Sequence, residues 1–389
     1  MYYLSVAVIK MNSEFTFRLY DGSSKDIQIV HELELACPQG TDVQMVYAAR
    51  EPRATKFGND FVIMIAESKE TGQPMGLNMA TWRRVQLEPG NFIKVSWMFG
   101  LRILPQARRS GLATKLVNEM EKWMVENEIN FVYCGIFENN VPSLRLFKKL
   151  GYNLLFETEW ININAASLYP QIKSKPLPKG VVARKLNPLE SGTFVQKHFG
   201  SRFFFPDWSA NPLRCDVVEA KNSDGDSVAF VVSRKPEGFV IAKAPGYVRF
   251  VIFVYRCLSW LLPSFFERPL PLDNKAWRSL FILPLLFQCK NEQNIPMLTN
   301  VAMETTIKEY AGQSDLLVTS LDYSVSGIQF QNKELAQRTR KMLMPSKIYP
   351  NNGGIFFGKC IGITDPTQLL RMTRFIEQQK HWFMDGNEI

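Results

Sequence analysis

Histidine is scarce in this chain: only His31, His198 and His381 occur in 389 residues, none at ligand spacing from another donor type. Metal chemistry is poorly served by that pattern, and no metal cofactor is expected. The six cysteines (Cys37, Cys134, Cys215, Cys257, Cys289 and Cys360) lie far apart and include no C-x-x-C pair. Such spacing fits neither a disulfide framework nor a zinc site, so a reducing compartment, cytoplasmic or nuclear, is expected. Blocks of Lys and Arg are missing too. The formal charge of +9 is scattered apart from a cluster at Arg102, Arg108 and Arg109, so no specific nucleic-acid binding is expected. The first ten residues have no basic region and no small-residue cleavage site, unlike a signal peptide. The most apolar stretch, residues 247–266, is broken by Arg249 and Arg256, whose charges would be costly inside a bilayer. A partly buried helix whose Arg side chains reach water is favoured there over a membrane-surface helix. Membrane association is not expected, and this segment is where it would reside.

What is present supports packed cores. Hydrophobic residues make up 46% and charged residues 21%, with 28 Phe, 12 Tyr and 8 Trp. The length suggests two domains. A Pro/Lys-rich stretch over residues 166–180 reads as a linker between a first domain, 1–165, and a second, 181–389.

In the first part, alternation predicts a strand over 15–20, a helix over 25–37 and a buried strand over 61–66. A long hairpin is expected from 75–85 and 93–104, turning at Glu88-Pro89-Gly90-Asn91. After Pro105, Leu112, Leu116, Met120, Trp123 and Met124 form an apolar stripe at helical spacing. A strand over 131–137 and a helix from Asn140 to Gly151 follow. Beyond the linker, strands are expected at 181–185, 227–233, 239–243, 280–287 and 316–320, with helices at 188–198 and 296–310. The first two of the middle strands read as a pair. That order echoes the first part as a degenerate repeat.

The strongest chemical signal is the run from Leu101 to Ala113. A strand enters a tight turn holding Gly111, and a helix leaves it. Backbone amides at a helix N-terminus lack partners and carry partial positive charge, so a pyrophosphate can sit on them. Gly111 and Ala113 lack bulk, and Arg108 and Arg109 add charged donors.

Arg108-x-x-Gly111-x-Ala113 resembles the R/Q-x-x-G-x-G/A signature of the GNAT superfamily of N-acetyltransferases. A second run, Asn140-x-x-Ser143-x-x-Leu146-Phe147-x-x-x-Gly151-Tyr152, resembles that family's following helix. The resemblance implies an α/β (α+β) fold, a mixed and mostly antiparallel twisted sheet flanked by helices, with a second degenerate GNAT-like lobe. It implies acetyl-CoA as co-substrate and an amine as acceptor. The amides of Arg108, Arg109, Ser110, Gly111, Leu112 and Ala113 would cradle the pyrophosphate, and the backbone of Leu101, Arg102 and Ile103 would pair with the pantetheine arm. Asn140, Ser143 and Phe147 would lie along the cofactor, Asn140 also serving as a helix cap. The segment from Ile93 to Arg102 with the Arg108 motif further resembles the plant HOOKLESS-type acetyltransferases.

One position departs from the family pattern. Phe147 stands where many members carry a Tyr that protonates the leaving thiolate, and Phe has no proton to give. Water, the Tyr133 hydroxyl or an unassisted thiolate are the substitutes, and an impaired, acetyl-CoA-binding regulator is the alternative function. No general base is assigned, because Glu88 and Glu138 are each more simply solvated surface charges. In the second part the loop from Cys289 to Asn294 has neither glycine nor the arginine motif, so no second CoA site is expected. Phe203, Phe204, Phe205 and Trp208 are expected to pack in a core or line a pocket between domains.

Overall fold

The computed structural model describes residues 15–40, 44–47, 50–57, 60–88, 91–164, 169, 172–199, 205–206, 215–233, 237–243, 246–261, 277–282, 286–310, 316–321, 353–363 and 369–370. The N-terminal half comprises β1 (Phe15–Leu19), α1 (Ser24–Ala36), β2 (Gln44–Tyr47), β3 (Phe61–Ser68), β4 (Pro74–Glu88) and β5 (Asn91–Ile103). It continues through α2 (Leu112–Glu126), β6 (Ile129–Phe137), α3 (Val141–Lys149) and β7 (Asn153–Asn164). The C-terminal half comprises β8 (Val181–Lys185), α4 (Pro188–Phe199), β9 (Phe205–Pro206), β10 (Cys215–Asn222), β11 (Ser227–Ser233) and β12 (Glu237–Lys243). After these come α5 (Gly246–Leu261), β13 (Trp277–Ile282), β14 (Leu286–Gln288), α6 (Ile295–Tyr310), β15 (Leu316–Leu321) and β16 (Gly353–Cys360).

The strands join one mixed, mostly antiparallel sheet in the order β1-β3-β4-β5-β6-β16-β7-β15-β13-β11-β10-β8. Two pairs in that path are parallel, β5 with β6 and β13 with β15, one in each half. Strand β16 lies between β6 and β7, pairing Phe356 with Gly135 on one side and with Phe156 on the other. In turn β7 pairs with β15, from Leu316↔Asn164 to Leu321↔Glu159. Each half therefore inserts one strand into the sheet of the other.

Two cores sandwich the N-terminal sheet. Ile29, Val30 and Leu33 of α1 pack with Ile65, Leu77, Val95, Trp97 and Tyr133 on one face. The predicted α2 stripe packs with Met98, Val132, Cys134 and Phe147 on the other, Leu112, Leu116, Met120 and Met124 being fully buried. Burying each of these aliphatic side chains stabilises the fold by about 2 kcal/mol relative to exposure. A third core, around Val218, Phe230, Leu298 and Tyr310, joins α6 to the C-terminal strands.

Two differences from the sequence expectations concern strands in the C-terminal half. Strand β12 pairs with β13 and β2 instead of β11, because a strand pattern specifies a face and not a neighbour. The run expected as one strand over 280–287 lies in two, β13 and β14. Along α5, Tyr247, Phe250, Phe253, Trp260 and Leu261 are exposed, one face of the helix expected to be partly buried. Phe203, Phe204 and Trp208 lie outside the described residues.

Candidate acyl-CoA site

The site begins with a bulge. Leu77 pairs with Arg102 and Met79 with Phe99, so Gly100 and Leu101 on β5 together oppose Asn78 on β4. Gly100 takes φ +65, a left-handed conformation suited to glycine, at that extra position. A bulge bends its strand. The β5–β6 pairing ends at Trp97↔Tyr133, although β5 runs on to Ile103 and β6 to Phe137. The two parallel strands thus part at Trp97 and Tyr133. Beyond that point the side of β5 toward β6 offers backbone groups to an extended ligand.

Past Ile103 the chain makes a short turn over Pro105–Ala107, and the Arg108 amide donates to the Pro105 carbonyl at 3.3 Å. Arg109 then adopts φ 62 and Gly111 φ 83, both left-handed. For Arg109 this costs on the order of 1 kcal/mol, strain of a kind that collects at ligand sites. Ser110 Oγ donates to the Ala107 carbonyl at 2.8 Å and accepts from the Leu112 amide at 3.3 Å. The first helical bond is Lys115 N–H to the Gly111 carbonyl at 3.1 Å, so the amides of Leu112, Ala113 and Thr114 have no acceptor within α2. A Cβ on Gly111 would find nothing within 4 Å, so its conformation and not crowding demands glycine, and open space lies over the loop. Arg108, Arg109, Ser110 and Gly111 are all exposed. These features suit a pyrophosphate on the amides, so the residues present fit a CoA thioester.

The remaining expected residues are distributed unevenly. Arg102 is buried, its guanidinium donating to the Leu101 carbonyl at 3.2 Å and facing the side-chain amide of Gln39. Leu101 and Ile103 are half-buried against the α2 core. Asn140 caps α3, its Oδ1 accepting from the Ser143 amide at 3.3 Å. Phe147 is not at the loop but in the core, its ring edge-on to Tyr152 at 4.9 Å. Glu138 is exposed.

Several further groups, of which sequence inspection singled out Tyr133 alone, lie near the parting of the strands. Asn78 is fully buried beside the bulge, and neither of its amide atoms has a hydrogen-bond partner among the described residues. A lone Asn within a strand carries no pattern that would flag it. Tyr133 is buried at the apex, its hydroxyl accepting from Arg83 Nη2 at 3.3 Å. On the same face the Arg53 guanidinium lies over the rings of Tyr47, Trp97 and Phe99, at 4.7, 5.4 and 5.5 Å. Burial pushes the thiols of Cys37 and Cys134 up, so neither is a ready thiolate nucleophile.

The loop before α6 is built differently. The Asp226 carboxylate accepts from the Lys290 amide at 2.6 Å and from Asn294 Nδ2 at 2.7 Å. It is buried, and these bonds, Asn294 foremost, hold its carboxyl below the usual carboxylate range. The chain's own carboxylate thus fills the turn that enters α6.

Residues 28–152 match the model of the acetyltransferase (GNAT) family. The chain is 32% identical over 136 residues to the "Probable N-acetyltransferase HLS1" of Arabidopsis thaliana, covering 35% of this chain and 32% of that protein. It is 37% identical over 190 residues to the "Acetyl transferase GW6a" of Oryza sativa subsp. japonica, covering 44% of each. The matched stretches thus span less than half the length of either relative. Among solved structures, the fold is similar to Saccharomyces cerevisiae N-myristoyltransferase with bound myristoyl-CoA, at a TM-score of 0.53 and 12% identity. That likeness covers 90% of this chain and 79% of the other. The parted strands and the Arg108–Ala113 loop both lie within the segment 28–152 that matches the acetyltransferase (GNAT) family model.

Proposed function

We propose that the chain transfers an acyl group, acetyl in the first instance, from its CoA thioester directly to an amine. The observation that carries this is the end of β5–β6 pairing at Trp97↔Tyr133, with the open side of β5 leading to the left-handed loop at Arg109–Gly111. The amides of residues 108–113 would hold the pyrophosphate, with Arg108 and Arg109 as charged donors. Leu101, Arg102 and Ile103 would pair with the pantetheine arm through their backbones. That arm is extended and carries amides, so a strand edge is its natural partner. Asn140 would keep its Nδ2 for the cofactor while its Oδ1 caps α3.

The thioester then lies near the parting of the strands. A neutral amine attacks the carbonyl carbon, a C–N bond forms, and a backbone amide of β5 stabilises the oxyanion. Collapse breaks the C–S bond, the amine loses a proton, and CoA leaves as thiol or thiolate. With Phe147 packed in the core, the Tyr133 hydroxyl is the group best placed to protonate the sulfur. The raised thiols of Cys37 and Cys134 favour direct transfer over a covalent enzyme intermediate.

The division into lobes 1–165 and 181–389, joined by 166–180, is part of the same proposal. Its support is the recurrence of a parallel pair and a packed helix in each half. Asp226, seated at the turn before α6, supports a single CoA site.

The test pairs acetyl-CoA binding by calorimetry with CoA release across amino acids, polyamines and basic peptides. Ser110→Asp retains an acceptor for the Leu112 amide but adds negative charge where the pyrophosphate would sit. Binding should fall at least about 100-fold in that variant, from the like-charge contact. Unchanged binding would overturn the site. Binding without release on any acceptor would favour the acetyl-CoA-binding regulator.

A further inference from the structure

Helix α5 presents an apolar face to water. Tyr247, Phe250, Phe253, Trp260 and Leu261 are 71, 65, 57, 70 and 74% exposed, and Leu258 is exposed as well. At about 100° per residue these positions fall within one arc of about half the helix circumference. Arg249, also exposed, lies at the edge of that arc. A contiguous apolar face of this kind on an otherwise well-packed protein marks a contact surface, since scattered exposed residues are ordinary but a stripe is not.

Its chemistry narrows the partner. From Gly238 to Phe266 the sequence contains no Asp or Glu, and its three charges, Lys243, Arg249 and Arg256, are all positive. Lys243 is exposed just before the helix. Tyr, Phe and Trp together on one face, with cations and no acid, suit the boundary between headgroups and acyl chains. At 16 residues the helix is about 24 Å long, short of a bilayer's hydrocarbon core, and no described helix is long and apolar enough to cross a membrane. A second copy of the chain would bring like charges together along the seam, which disfavours self-pairing.

We infer that α5 is a peripheral anchor that lies in the plane of an anionic phospholipid surface, its Tyr247–Phe250–Phe253–Leu261 face among the acyl chains and Lys243 and Arg249 among the headgroups. The inference is independent of acyl transfer, because no residue of the candidate acyl-CoA site belongs to this helix.

Flotation of the full chain with vesicles tests it, comparing pure phosphatidylcholine with a mixture containing 30% phosphatidylserine. Recovery with anionic vesicles should exceed that with neutral ones by at least about tenfold at low salt. Phe250→Ser, Phe253→Ser and Leu261→Ser combined should abolish recovery while the thermal unfolding midpoint is retained. Arg249→Glu leaves the apolar face intact and should weaken recovery with anionic vesicles severalfold. Failure to float, or equal recovery with both vesicles, would overturn the inference. A dimer in light scattering that the triple variant dissolves, with no vesicle binding, would assign the face to a second copy instead.

Discussion

Lys359 of β16 places its Nζ 2.8 Å from Oε2 of Glu121 on α2, joining residues 238 positions apart. The other Glu121 oxygen accepts from the Tyr152 hydroxyl at 2.8 Å, and Lys359 lies over the Tyr152 ring at 5.5 Å. Both charged side chains are mostly buried. A strand from late in the chain is thereby tied to the helix whose N-terminus is the proposed anion site. A double-mutant cycle with Lys359→Met and Glu121→Gln should give a coupling energy of about 1–2 kcal/mol from unfolding curves. Simple additivity would show that the pair does not hold the strand.

The inserted strand also predicts that the GNAT-like half cannot stand alone. Gly135 and Gly358 are the contact points: a Cβ on Gly135 would come within 2.8 Å of the Phe356 ring, and one on Gly358 within 2.9 Å of Leu155. A fragment ending at residue 165 leaves an open slot between β6 and β7, with unpaired backbone groups on both sides. It should lack a cooperative thermal transition by circular dichroism, and adding residues 166–389 in trans should restore one. A cooperative melt of the fragment alone would show that the slot closes without β16.

Most of the N-terminal half was legible because its signals are local. The apolar stripe from Leu112 to Met124, the glycines at turns and the hairpin all depend on neighbours in sequence. The strand, turn and helix around Gly111 were legible for the same reason, as they follow one another within a dozen residues. Insertion of β16 beside β6 could not be read that way, since pairing across more than 200 residues leaves no local pattern. Asn78 was invisible because its meaning comes from the Gly100 bulge on the adjacent strand. At α5 the composition was plain, but whether the face is covered depends on tertiary packing.

Asp226 sets an acid limit on the C-terminal half. Its folded-state carboxyl titrates below the unfolded value of about 3.9, so its stabilisation is complete above that value and lost as pH falls through the folded one. Melting temperature should therefore drop below about pH 4. Asp226→Asn should lower it at pH 7 by about 5 °C, as charge-assisted bonds to Lys290 and Asn294 are lost, and should flatten the acid limb. An unchanged acid limb in the variant would place the sensitivity elsewhere.

Strain at Arg109 separates stability from binding. Glycine at that position relieves the φ of 62 but makes the unfolded chain more flexible, leaving a net gain of about 0.5 kcal/mol. The same change removes an exposed cation beside the loop, and acetyl-CoA affinity should fall about tenfold. Arg109→Gly should thus melt slightly higher and bind more weakly. A variant that binds equally well would mean the strain serves folding of the turn alone.

Restoring a phenol at position 147 should not restore a proton donor. The Phe147 ring is 4% exposed and edge-on to Tyr152, within the core that α2 and α3 share. Phe147→Tyr would bury a hydroxyl within that apolar core, where an unsatisfied donor costs about 1–3 kcal/mol. Its melting temperature should fall and the rate of CoA release should stay the same or drop. Tyr133→Phe removes the hydroxyl that accepts from Arg83 and should slow release about 10- to 100-fold. A faster Phe147→Tyr enzyme, with Tyr133→Phe unaffected, would reverse the assignment and return the proton to the helix.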